Sequence, residues 1–314
     1  MSKPILIALG AGVASAAALI VFISGSPGAV VLVNLTPLPL MMVGLGLGVV
    51  PAGVAGASGA IFAGVFSGGL GAGIYLAMFA VPSVLMVRQA LLNRPTGPGG
   101  KVSWYPAGSI VSLLAATVAV ALVLVIAFGG GFQEDLRALV ATTVERGLET
   151  MAPGMDPADR ALAVLKVTPI FPGMVATSWV LMLIGNGALA QAILVRSGHN
   201  LRPRIKVSAL TLPDWASWLL VGAAAMALLG AGNLEYVGQN LALVLALPFL
   251  FLGLAVAHAL SARLPRRGMV LVAMYVAVIF FDWAKLVVVG AGLIEQWAGL
   301  RRRFASSGPQ TKDD

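Results

Sequence analysis

Residues 52–68 read AGVAGASGAIFAGVFSG, and their setting in the chain decides the fold. They sit inside an 84-residue stretch, Pro4 to Val87, that holds no Asp, Glu, Lys, Arg or His. A helix crossing a bilayer needs about 20 apolar residues, so the stretch has room for about four passes joined by turns too short to need water. Ala52, Gly56, Ala60, Gly64 and Gly68 fall four apart, and Gly10, Ala14 and Ala18 repeat the spacing nearer the N-terminus. Small residues at that interval let two helix backbones approach closely, which in lipid replaces hydrophobic collapse as the force for association. These seven residues, Ala14, Ala18, Ala52, Gly56, Ala60, Gly64 and Gly68, are therefore read as helix-packing positions.

The rest of the composition agrees. Of 314 residues 59% are hydrophobic and 10% charged, which places the chain among polytopic helical membrane proteins and leaves no room for a soluble domain. The net charge of +8 arises from short loops beside apolar segments, where Lys and Arg act as topology signals, so nucleic acid is not an expected partner. With no cysteine and two histidines 59 positions apart, neither a disulfide nor a metal centre is expected, and no cofactor is read. The first 24 residues carry a single charge and resemble a signal peptide, but further spans follow at once and the helix is expected to be retained.

Apolar runs and breakers predict an all-α helical bundle with eight spans near 5–24, 29–50, 51–67, 69–92, 105–129, 168–195, 213–231 and 236–261. Residues 269–300 form a C-terminal hairpin broken at Phe281 to Lys285, either two short spans or a re-entrant loop, giving eight to ten membrane segments. Arg88, Arg94 and Lys101, then Arg196, Arg202, Arg204 and Lys206, then Arg263, Arg266, Arg267 and Arg301 to Arg303 mark one face, the cytoplasmic one. Both termini fall on it, and the expected location is a bacterial inner membrane. Residues 1–304 read as one integral membrane domain and 305–314 as a disordered cytoplasmic tail.

The segment 132–166, with six acids and four bases, reads as an extracytoplasmic helical insertion. Phe132, Leu136, Leu139, Val140, Thr143 and Val144 share one face of it, opposite Glu134, Asp135, Arg137, Glu145 and Glu149. It is either a helix lying on the outer surface or a lid. Asp156-Pro157 marks the start of a second helix.

Three motifs suggest chemistry. Gly56 to Phe62 spells the serine motif of rhomboid intramembrane proteases, but the chain lacks their His-x-x-x-Asn element, and His258 lacks the following glycine; Ser58 reads better as a packing residue bonded to its own helix. Thr96 to Val102 ends in Gly-Gly-Lys without the first glycine, the final Ser or Thr, or the preceding strand of a phosphate loop, so it reads as a flexible linker. The polar residues inside apolar spans are the informative ones, since burying them unpaired in lipid is costly. Asn34, Pro37, Asn186, Gln191, Asn240 and Asp282 are the candidate ligand-binding residues. For the asparagines and the glutamine, hydrogen bonds between helices are the alternative. Asp282 can instead pair with Lys285 three positions on. At Asn34 to Pro39 two prolines frame a break whose freed carbonyls must be met by a cavity or by a short kinked helix pair.

Pro37 to Leu40 (Pro-Leu-Pro-Leu), Gly44 to Gly48, Trp104-Tyr105-Pro106, Gly185 to Ala190 and Leu212-Pro213 together resemble the YybS-like family of bacterial inner-membrane proteins, the domain of unknown function 2232 family. The resemblance implies a remote fold relationship to the substrate-binding S-components of energy-coupling-factor vitamin transporters and to the rod-shape protein MreD. S-components dock on a membrane partner through Ala-x-x-x-Ala in their first helix, which Ala14 and Ala18 match. The expected function is accordingly a solute-binding or transport-associated component without catalysis, the alternatives being a membrane scaffold and, more distantly, an intramembrane serine protease. The expected partners are the lipid bilayer, other membrane subunits and a small-molecule solute.

Overall fold

A computed structural model describes residues 2–25, 28–96, 102–128, 133–262 and 264–306. Helices dominate in chain order: α1 (Lys3–Ile23), α2 (Ala29–Asn34), α3 (Pro37–Leu47), α4 (Val49–Tyr75) and, after a π-helical turn at Leu76–Ala80, α5 (Val81–Leu91). A two-stranded antiparallel ribbon follows, β1 (Asn93–Pro95) with β2 (Val102–Trp104), pairing Asn93 with Trp104. Then come α6 (Ala107–Phe128), α7 (Gln133–Met151), α8 (Pro157–Val167), a 3-10 turn at Thr168–Ile170 and α9 (Phe171–Ser197). A second 3-10 turn at Val207–Ala209 leads to α10 (Trp215–Leu229), α11 (Asn233–Ser261), α12 (Arg267–Phe280), α13 (Asp282–Ala298) and α14 (Leu300–Ser306).

Among the described residues six helical runs are long and apolar enough to cross a membrane: Lys3–Ile23, Ala29–Leu47, Val49–Leu91, Ala107–Ile126, Pro157–Ser197 and Asn233–Ser261. The pair α12 and α13 adds a seventh if taken as one span; it bends by 116° around Phe281, at the break the sequence marks. The expected span at 213–231 is shorter than read. Its helix α10 has 15 residues, about 22 Å, against the roughly 30 Å of a hydrocarbon core.

The two segments expected on either side of Gly68 are two helical arms that meet at a kink and double back on each other. Gly68 adopts φ 69° and ψ −175°, a conformation open essentially to glycine alone. Beyond it a Cβ built on Gly64 lies 3.4 Å from Ala72 Cβ, one on Gly56 lies 3.3 Å from Ala80 Cβ, and one on Gly59 meets the Tyr75 hydroxyl. A straight helix would hold positions 56 and 80 about 36 Å apart, so Gly68 is the corner of a hairpin and not a fifth rung.

The chain packs as two compact units: residues 1–110 with 181–205, and 111–180 with 206–314. In the first, α1 packs on α4, burying Ala8, Gly12, Ser15, Ala16 and Leu19, and a Cβ on Gly12 would run into the Ala55 carbonyl and Ser58 Oγ. This stripe is out of phase with the small residues the sequence pointed to. Gly10 and Ala14 lie on the exposed face of α1, and Ala18 is half-buried. The ladder on α4 does face protein: Ala52, Gly56 and Ala60 are buried, and Gly64 is half-buried.

In the second unit α11 is the central helix, with α10 and α13 against it. Gly253 and Gly292 let α13 come in so closely that a Cβ on either would strike a carbonyl of the other helix, Val288 O or Phe249 O. Gly238 plays the same part against α10, at Met226 and Ala227. Helix α7 buries Val140 and Val144, one turn apart, while Leu139 from the same expected face is 63% exposed. Asp156 caps α8 as its place before Pro157 predicts, its side chain accepting from Ala158 N at 2.8 Å, and Arg160 pairs with Glu149 of α7 at 3.2 Å. Phe132, residues 97–101 of the phosphate-loop look-alike, Arg263 and tail residues 307–314 lie outside the described residues.

Candidate functional site

The break at Asn34 to Pro39 separates α2 from α3 as a kinked pair, and protein groups meet its carbonyls. Asn186 Nδ2 donates to Asn34 O at 2.7 Å and to Met182 O at 2.7 Å. Ser15 Oγ donates to Thr36 O at 2.6 Å and accepts from the Tyr75 hydroxyl at 2.9 Å. Pro37 and Pro39 carry no N–H and the Leu38 amide donates to Leu35 O at 3.0 Å, so the fully buried Thr36 finds no free amide to cap and its Oγ1 is without a partner. Asn34 and Asn186 are thus brought together, with Pro37 buried beside them, in the manner of a helix-to-helix staple.

Gln191 stands apart from that pair. Its Nε2 donates to Arg202 O at 2.7 Å, while the Arg202 guanidinium, 6% exposed, donates to Ala90 O at 3.0 Å and Tyr105 O at 2.8 Å. Burial lowers the Arg202 pKa from its ordinary value, without removing its charge. A residue read as an orientation signal therefore also clasps the C-terminal end of α5 and the residue that follows the ribbon. Ser58 Oγ donates to Leu9 O at 3.2 Å and Ala55 O at 3.0 Å, a packing role, and the His258 ring lies beside Leu254 O at 2.9 Å and the Tyr275 hydroxyl at 3.4 Å.

In the second unit Asn240 is fully buried and forms a knot. Its Oδ1 accepts from Gly173 N at 2.6 Å, and its Nδ2 donates to Pro169 O and Tyr236 O, both at 2.8 Å. Gly173 lies in the first turn of α9, where Pro172 has no N–H, so Asn240 caps that helix from another one. A Cβ at Gly173 would stand 2.9 Å from Asn240 Cα, which explains the glycine. Asp282 is distant from this arrangement in role: it pairs with Lys285 at 2.6 Å, and its side chain is 95% exposed.

The Asn240 knot fixes one wall of a cleft of about 590 Å³ lined by Leu165, Lys166, Thr168, Pro169, Gly232, Glu235, Tyr236 and Gln239. Gln239 Nε2 donates to Glu235 Oε1 at 3.0 Å, one helical turn away. Thr168 Oγ1 is buried with no hydrogen-bond partner. The sequence singled out Asn240, which stands behind the wall, and missed Lys166, Thr168 and Gln239, whose meeting depends on α8, the 3-10 turn and α11 converging. A second cleft of about 430 Å³ is lined by Arg301, whose Nε donates to Glu295 Oε1 at 2.8 Å, Nη1 to Ser208 O at 2.6 Å and Nη2 to Leu210 O at 2.8 Å.

Glycine-packed apolar helices, a proline break satisfied from within and polar clefts among helix ends define a multi-pass helical membrane protein. Residues 13–295 match the family described as "Predicted membrane protein (DUF2232)", and the chain belongs to that family. No curated protein and no solved structure matches it.

Proposed function

We propose that the protein is a non-catalytic, solute-binding component of a transport system in a bacterial inner membrane, with both termini cytoplasmic. The observation that carries this reading is the cleft at Lys166, Thr168, Glu235 and Gln239, a concave space of small-molecule size with convergent polar groups on an apolar wall. Its floor is pre-organised by Asn240, a buried side chain with both polar atoms bonded. In this reading any ATP hydrolysis belongs to partner subunits. A ligand that binds only the folded state stabilises it by about 2.7 kcal/mol at a hundred times its Kd, so a metabolite screen by thermal unfolding in detergent should return a stabilising compound. A flat response across amino acids, vitamins and nucleobases would sink the reading.

A second reading, a scaffold for other membrane proteins, is favoured by one observation. A Cβ on Gly10 meets nothing within 4 Å, and Ala14 shares the exposed face of α1, so this small-residue stripe is open to another helix. Substituting Ala14 by Leu should then release membrane subunits that co-purify with the wild type; an unchanged set of subunits removes that support. Gly56 and Gly64 are engaged within the chain and are not available for this purpose.

A further inference from the structure

We infer, resting on the solute-binding reading above, that the cleft takes a zwitterionic solute, one carrying a carboxylate and an ammonium group, as an α-amino acid does. Lys166, in the last turn of α8, lines the cleft with no hydrogen bond or ion pair among the described residues. Glu235, in the first turn of α11, lines the same cleft, and only its Oε1 is engaged, by Gln239. No ion pair within 4.0 Å joins the two, although no other described residue that lines the cleft carries charge. Opposite charges in one concave space gain most when they close on each other or on something that bears both complementary charges. Here the Asn240 side chain ties the Pro169 turn and the first turn of α9 to α11, and with them the chain segments that carry Lys166 and Glu235.

The charge balance selects among ligands. A plain anion would meet Lys166 but face Glu235 across the cleft, and a plain cation would meet Glu235 but face Lys166; a dipolar molecule satisfies both. Thr168 lines the cleft beside Lys166, and its hydroxyl, buried and without a partner, is a third polar group that would donate to a carboxylate once a small side-chain rotation turns it into the cleft. Leu165, Pro169 and the Tyr236 ring form an apolar wall that would receive an uncharged side chain. The site therefore fits an apolar amino acid better than a dicarboxylate, a polyamine or a sugar.

The test uses the purified full-length protein in detergent and isothermal titration with leucine and phenylalanine, with their decarboxylated amines, their deaminated acids and a neutral sugar. Leucine or phenylalanine should bind, and the singly charged analogues should bind at least about tenfold more weakly, the scale of one charge-assisted hydrogen bond lost. Lys166→Met should abolish amino-acid binding, and Glu235→Gln should weaken it about tenfold while bringing the deaminated acid level with its parent. Unfolding without ligand monitors the fold of both variants. If an amine, an acid or the sugar binds better than the amino acids, and Thr168→Phe blocks it by filling the cleft, the zwitterion class falls while the solute-binding role stands. If no probe binds, or if binding survives both Lys166→Met and Thr168→Phe, the cleft assignment itself is overturned.

Discussion

Asn240 offers the sharpest test of how this fold is held. Replacing it by Ala removes the acceptor that caps Gly173 N–H at 2.6 Å and the donor that meets Pro169 O at 2.8 Å. The third bond, to Tyr236 O one turn earlier in the same helix, matters less, because that carbonyl already serves the helix ladder. Each buried polar group left unmet costs about 1–3 kcal/mol, and Asn240 is fully buried, so water does not replace it in the intact fold. The two orphaned groups together should lower the unfolding free energy by about 2–6 kcal/mol. Reversible unfolding in mixed micelles, followed by tryptophan fluorescence, measures that loss directly. Amide exchange at Gly173 should accelerate in parallel, because its N–H is no longer engaged. A loss below about 0.5 kcal/mol, the range of a neutral surface substitution, would refute the claim that this residue ties α9 to α11.

Adjacent glycines at the hairpin corner should respond with opposite signs. Gly68→Val forces a branched side chain into φ 69° and should cost about 1–3 kcal/mol, whereas Gly69→Ala, with nothing within 4 Å of the new Cβ, should be neutral or stabilise by about 1 kcal/mol through helix propensity; equal effects in the same unfolding assay would argue against the corner. Arg301→Lys keeps the charge but cannot reach Glu295 Oε1, Ser208 O and Leu210 O together, so it should lower stability by about 1–3 kcal/mol, and a silent substitution would show that charge alone suffices. Because the chain has no cysteine, single introduced ones report topology: Asp159→Cys should react with an impermeant maleimide in whole cells and Arg94→Cys only after lysis, and the reverse pattern would invert the proposed orientation.

Lipid as the solvent and helices as the elements were decided by the sequence alone, because 84 uncharged residues can satisfy their backbone only within helices once water is excluded. The glycine ladder was legible for the same reason, since spacing along one helix is a local property. Which face met a partner was not. Gly10 and Ala14 carry the same spacing as Gly56 and Ala60, yet only the latter pair face protein, because the phase of a helix is set by the neighbour it packs on. The α4 hairpin turns on a single glycine whose backbone angle no composition reveals.

The polar residues divide along the same line. Asn34 is exposed and its side chain donates to Val30 O of its own helix at 2.8 Å, but that Asn186, Gln191 and Asn240 must find partners followed from the cost of burying an amide in an apolar medium. Those partners are carbonyls and amides up to 152 positions away, on breaks and first turns that exist only in the folded chain. Lys166 and Gln239 look like ordinary loop and helix-end residues in the sequence. Only the convergence of α8, the Thr168–Ile170 turn and the start of α11 puts a cation, an anion and an unpartnered hydroxyl around one cleft, since charges become a site through distance and not through order along the chain.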